Sequence, residues 1–279
     1  MAVLLSLLSA LSYGVSDFLG GLFSKRSGPW QTAVVGQTSS TVCTVAVALF
    51  IAGDPVGSDW VWGVVGGAGS GVGAAFLYRG LAGGRMSVVA PLSAVVCALL
   101  PVAVGLVTGD RPSALALAGI VVAFPAIALV SRVVEEDAAA QAAHRGGVVD
   151  GVVAGLGFGV LFVALGQVRD DAGLWPLAVA QGAAAVVVVL LAVALREAWV
   201  PRDRLAWRAA VMGPLGATAT TAFLLATREG LLSVVSVISS LYPATTVLLA
   251  TLVLKERIQA WQGVGLALAA SAVTLVALG

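Results

Sequence analysis

Asp17 is the residue of this chain best placed to do chemistry. It stands in the first apolar stretch, about 21 Å along a helix that begins at the amino terminus. A carboxylate in hydrocarbon is costly unless it is paired, protonated or hydrated, so acids at that depth usually carry function. Two uses follow: a proton-coupling group, or a counter-ion for a cationic solute. The competing reading is a structural carboxylate, paired with Arg79 or Lys25 or capping polar groups near the membrane surface. Tyr13 precedes Asp17 by one helical turn, on the same face. Tyr78, Phe158 and Tyr242 lie on other apolar stretches. Gathered around Asp17 with Tyr13, they would make an aromatic cage suited to an ammonium group; scattered, they would face lipid or fill the core.

A second candidate is the pair Tyr242-Pro243, in the middle of an apolar run. Proline removes a backbone donor and frees the carbonyl one turn back, here that of Ser239. Ser236, Ser239 and Ser240 surround the point, so a substrate-lining hinge and a packing kink with back-bonded serines are both open. Pro91, Ser93 and Pro101 give a weaker version in an earlier stretch. The run of Thr218, Thr220 and Thr221 could bond solute hydroxyls or carboxylates, or its own backbone. Thr221 is the member assigned to the site. Gln37 and Gln181 read as glue between helices. Cys43 and Cys97 sit in apolar stretches and read as small packing residues. His144 stands alone in a polar segment. No nucleophile–base pair, metal-ligand spacing or phosphate loop occurs, so neither an enzyme nor a cofactor is expected.

The elements that must position these residues are set by composition. Of 279 residues, 59% are hydrophobic and 10% charged, far fewer charges than the roughly 25% of soluble domains. That much apolar surface has to face lipid, so a bilayer is the expected surrounding. Fifteen basic residues against 14 acidic ones leave a net charge of +1 and no field to attract nucleic acid. At about 20 apolar residues per crossing, the chain predicts ten transmembrane helices: 2–23, 30–52, 60–81, 86–107, 112–131, 148–168, 174–195, 206–228, 233–254 and 259–278. Residues 132–147 form the one long polar segment. It divides the chain into a first five-helix half, 1–131, and a second, 148–279. Glycines from Gly63 to Gly73 give the third helix a face for close packing.

With the amino terminus outside, 12 of the 15 Lys and Arg fall in inner loops, leaving Arg111, Arg169 and Arg228 outside. This bias predicts both termini on the non-cytoplasmic side of a cell membrane. Five crossings per half is an odd number, so the second half runs through the membrane in the opposite sense. Residues 84–119 and 230–265 are identical at eleven of 36 positions without a gap. Ser87-Val88-Val89 fall on Ser233-Val234-Val235, Ser93 on Ser239 and Asp110-Arg111 on Glu256-Arg257, whereas Cys97 falls on Pro243. Inverted five-helix repeats around a midplane site are a known way for secondary transporters to build two access states.

Two five-helix halves, each closing with a Ser-Val-Val…Ser helix, an acid-Arg turn and a Gly-bearing last helix, together with the run LYPATTVLLATLVLKERIQAWQGVG and the stretch SYGVSDFLGG at Ser12–Gly21, resemble the EamA-type members of the drug/metabolite transporter superfamily. The resemblance spans the whole chain. It implies a ten-helix carrier of small organic solutes, often an exporter, working without ATP. The inverted halves add alternating access, small polar or amphipathic metabolites are the expected solutes, and proton exchange through Asp17 is the coupling hypothesis. An importer of a cationic or quaternary amine, a passive channel and a non-transporting membrane protein are the alternatives. The expected site is Tyr13, Asp17, Tyr78, Ser93, Phe158, Thr221, Ser236, Ser239, Tyr242 and Pro243. The expected partners are a small-molecule substrate, the lipid bilayer and protons, with monomer and homodimer both open.

Overall fold

The computed structural model describes residues 1–83, 86–130, 138–254 and 260–278. Among these the chain is helical throughout, with no strand. The helices are α1 (Ala2–Ser27), α2 (Pro29–Ala48), α3 (Gly57–Ala82), α4 (Met86–Thr108), α5 (Ala114–Val130), α6 (Ala138–Leu165), α7 (Trp175–Ala194), α8 (Arg204–Arg208), α9 (Met212–Glu229), α10 (Leu232–Ser239), α11 (Tyr242–Leu254) and α12 (Ala260–Leu278). Five helical runs are long and apolar enough to cross a bilayer: Ala2–Ser27, Gly57–Ala82, Gly147–Leu165, Trp175–Ala194 and Arg204–Glu229. Shorter apolar helices cover Leu92–Thr108, Ala114–Leu129, Leu232–Thr246 and Gly263–Ala272. The molecule is an all-α membrane protein.

Local sequence explains the punctuation. Gly28 adopts φ 93°, a value that other residues avoid, and Pro29 opens α2 directly after it. Asp59 caps α3 by accepting from the Val56 amide at 2.9 Å. The ninth expected crossing is interrupted between α10 and α11, at the position where Pro243 cannot donate. Helix α4 continues unbroken through Pro101. The sixth helix starts at Ala138, ten residues before the sequence reading begins it, so part of the polar segment 132–147 is helical. The expected basic and acidic residues Arg85, Arg132, Glu135, Glu136, Asp137 and Lys255-Glu256-Arg257 lie outside the described residues.

Packing follows small residues. Helix α3 lies against α6 on one side and α7 on the other. A methyl group added at Gly69 would stand 2.5 Å from the Gly157 carbonyl of α6, and one at Gly71 would stand 2.7 Å from the Ala184 carbonyl of α7. Helix α9 lies against α1 and α2, α4 against α6, α10 and α11 against α1, and α5 against α12.

One end of the bundle gathers Ala2 beside Gly230, Asp54 beside Asp171, Asp59 beside Arg169 and Asp110 beside Ser233; we call it the amino end. Between this end and the middle lies an apolar cluster that includes Leu161, Phe162, Leu165, Leu174, Leu177, Phe223, Leu224 and Leu232. Phe162 and Phe223 stack at 4.0 Å between ring centroids.

Gly71→Leu should therefore overpack the α3–α7 seam, at a cost of about 1–3 kcal/mol. Thermal unfolding of the purified protein in detergent should show the loss as a lowered Tm.

Candidate functional site

A cavity enclosing about 490 Å³ of empty space, part of it open to solvent, lies among α1, α2, α3, α6, α7 and α9. Each helix presents one face to it at helical spacing. Helix α1 gives Tyr13, Ser16 and Asp17; α2 gives Gly36, Gln37 and Ser40; α3 gives Ser70, Ala74 and Tyr78; α9 gives Met212, Gly216 and Thr220; Phe158 and Gln181 complete the wall. Met212 opens α9, and Tyr78 stands four residues from the end of α3, so the cavity reaches from mid-bundle towards the end opposite the amino end.

Asp17 is 6% exposed. No ion-pair or hydrogen-bond partner reaches its carboxylate among the described residues. The two cations that sequence offered it are elsewhere. Lys25 is exposed near the end of α1. Arg79 donates through Nε to Asp150 of α6 at 3.1 Å and lies 4.3 Å from the centroid of the Phe76 ring. The paired structural carboxylate is thus Asp150, not Asp17.

Two carboxamides face the cavity in matched roles. Gln37 of α2 donates to the Ser70 hydroxyl of α3 at 3.3 Å, and Gln181 of α7 donates to the Thr220 hydroxyl of α9 at 3.0 Å. Each bond ties neighbouring helices, as sequence suggested, and each uses one amide hydrogen and leaves a carbonyl oxygen to accept. The Ser40 hydroxyl, also on the wall, is buried without a partner among the described residues. The lining holds a carboxylate, amides, hydroxyls and aromatic rings, and no Lys or Arg.

A narrow apolar crevice adjoins it, lined by Tyr13, Asp17, Cys97, Phe158, Phe162 and Tyr242. The Tyr13 ring lies 6.1 Å from Phe162 and 6.2 Å from Tyr242, tilted to both. Tyr242 donates weakly to Ser93 at 3.3 Å. Tyr13, Tyr78, Phe158 and Tyr242 are therefore all brought to the surroundings of Asp17.

The remaining sequence candidates stand apart from the larger cavity. Ser236 and Ser239 are buried on α10 and Pro243 at the start of α11. Thr221 lines a different groove with Leu5, Leu8, Cys43 and Val47, between α1, α2 and α9; its neighbour Thr220 faces the cavity. Sequence reading passed over Ser16, Ser40, Ser70, Met212 and Asp150. The signal for Ser70 and Thr220 was available, since each lies on the helix following a matched Gln.

The fold and cavity define a helical membrane protein with a polar pocket held inside its bundle. Residues 145–278 match the model of the EamA-like transporter family. Over that C-terminal half the chain belongs to this family, within the drug/metabolite transporter superfamily. Compared by sequence with curated proteins, the chain matches none. Among solved structures it is similar to a protein known from a crystal structure, with TM-score 0.72 and 18% identity, covering 99% of this chain and 96% of that one. At that identity the likeness shows the fold alone.

Two substitutions separate the roles of the acids. Asp150→Ala strands the Arg79 guanidinium and should cost about 2 kcal/mol, a half-exposed partner softening the larger penalty of a fully buried pair. Asp17→Asn removes a carboxylate that nothing stabilises, so its Tm should match or exceed that of the parent in thermal unfolding.

Proposed function

We propose that the chain is a secondary transporter of small organic solutes and that the cavity at Asp17 is its substrate site. Support comes from the lining. Its groups accept hydrogen bonds, its rings offer π faces, and a carboxylate stands among them without a cation. Such a pocket favours a solute that brings N–H donors and a positive charge, an amine held by Asp17 and flanked by aromatic rings. The single observation that carries this reading is the unpartnered Asp17 on the cavity wall.

Alternating access between two inverted five-helix halves, making ten crossings in all, is the mechanism we infer. The contact pattern supports it. Helix α3 lies on α6 and α7 as α9 lies on α1 and α2, and a Gln–hydroxyl pair joins the second and third helices of each half. On the positive-inside count both termini are extracytoplasmic, so the apolar cluster and polar contacts of the amino end would form the outer closure. Export in exchange for protons at Asp17 is the favoured direction, on family resemblance. Import of a quaternary amine is the second reading, favoured by the same carboxylate and rings.

Counterflow in proteoliposomes tests the proposal. A panel of labelled primary and quaternary amines should include at least one taken up saturably against unlabelled internal solute. That uptake should respond to an imposed pH gradient, and Asp17→Asn should reduce it tenfold or more. Unsaturable flux without counterflow would indicate a channel, and full activity in Asp17→Asn would remove Asp17 from the site. The sign of net flux under a set gradient separates export from import.

A further inference from the structure

Many hydroxyls on these helices satisfy themselves locally. Ser6, Thr41, Thr108, Thr246, Ser271 and Thr274 each donate to a carbonyl four residues back, the usual recourse of Ser and Thr within a helix. Helix α10 departs from this. Ser236 and Ser239 are fully buried, and neither hydroxyl meets a partner among the described residues. Ser240 is equally buried and lies beside the Cys97 thiol of α4. Ser239 and Ser240 follow Ser236 at spacings of three and four, so all three lie on neighbouring parts of one helical face. Ser93, which pairs with Ser239 in the internal repeat, is bonded to the Tyr242 hydroxyl; Ser239 has no such neighbour.

The backbone bridges the break through the amides of Ser240, Leu241 and Ala244, which donate to the carbonyls of Ser236, Ile238 and Leu241. The helix stops at Ser239 and resumes at Tyr242. Pro243 has no N–H for the Ser239 carbonyl. Neutral oxygens, from three hydroxyls and that carbonyl, thus lie at an interior break about 11 Å along the chain from the start of α10.

We propose that the α10–α11 break is a binding site for Na⁺, with the hydroxyls of Ser236, Ser239 and Ser240 and the carbonyl of Ser239 as its oxygen donors. A hydroxyl that gives a lone pair to a cation can turn its hydrogen to a carbonyl, so both its needs are met. Neutral oxygens suit a monovalent ion; a divalent one is usually held by carboxylates. Broken membrane helices of other folds hold ions with unwound carbonyls in this manner. The site is separate from Asp17 and does not depend on the amine reading.

The test uses the purified full chain in nanodiscs, with NaCl titrated against CsCl at constant ionic strength. The wild type should show a saturable rise in Tm with Na⁺, as for any ligand that binds only the folded state. Ser236→Ala/Ser239→Ala should unfold at the wild-type Tm in CsCl and lose the Na⁺ response, and Ser239→Ala alone should weaken the apparent Na⁺ affinity tenfold or more. Asp17→Asn should keep the full response. A wild-type Tm equal in both salts would mean that these hydroxyls hold only water, and the proposal fails. It fails equally if the serine variants respond as the wild type does, or if Asp17→Asn abolishes the response, which would place the ion in the Asp17 cavity.

Discussion

Helix α3 is fixed in place more firmly than any other element described, and the cavity depends on it. Its glycines bring backbone against backbone on α6 and α7, the close approach that holds helices together where lipid offers no hydrophobic drive. Its two ends are tied as well, one to the turn after α6 and the other to α6 itself. At the amino end, Asp59 accepts from the Arg169 amide at 3.1 Å and from its guanidinium at 3.2 Å; at the other, Arg79 meets Asp150. With α3 so held, Ser70, Ala74 and Tyr78 form a stationary wall. Tyr78 reaches across to α1 because position 20 there is glycine, where a side chain would collide with its ring.

Polar groups elsewhere are accounted for with economy. The guanidinium of Arg169 also reaches the Asp54 carbonyl at 2.7 Å, and that of Arg228 reaches the Gly173 carbonyl at 3.1 Å. The side chains of Gln37 and Gln181 and many hydroxyls are bonded. Against this background Asp17 and the α10 serines stand out, since an unpartnered buried polar group costs about 1–3 kcal/mol, and a charged one more.

Much of this was legible in sequence, and unevenly so. The helices were readable because lipid imposes long apolar runs, and the charged or Gly-Pro breaks between them are hard to mistake. The α10–α11 interruption was readable because Pro243 has a definite backbone consequence. The burial of Asp17 within the bundle agrees with its place well inside the first apolar stretch. What sequence could not supply was the partner of each polar group. Arg79 stood next to Tyr78 and looked available to Asp17, yet the rotation of α3 turns it to Asp150 on α6. Thr220 and Thr221 are adjacent and chemically alike, and only the phase of α9 decides that Thr220 faces the cavity and Thr221 the groove. Such choices depend on helix rotation to within a fraction of a turn, which an apolar sequence with little amphipathic contrast does not encode.

The distribution of ties also bears on motion. Helix α3 is joined by one ion pair to α6 and by another to the turn that follows α6, with glycine contacts to α6 between. Helices α1 and α9, which meet in the corresponding way, have no ion pair between them among the described residues. Their neighbours α10 and α11 are separated by the break, and α9 is followed at once by the extended Gly230. In a carrier of the proposed kind, the stiff α3–α6 pair would serve as the frame, and rearrangement would fall to α1, α9 and the broken helix. Asp17 lies on α1, at the boundary between these two parts. A ligand there would touch both Phe158 and Tyr78 of the frame and Thr220 of the softer side, so occupancy of the pocket and the relative position of the two parts would be linked by direct contact.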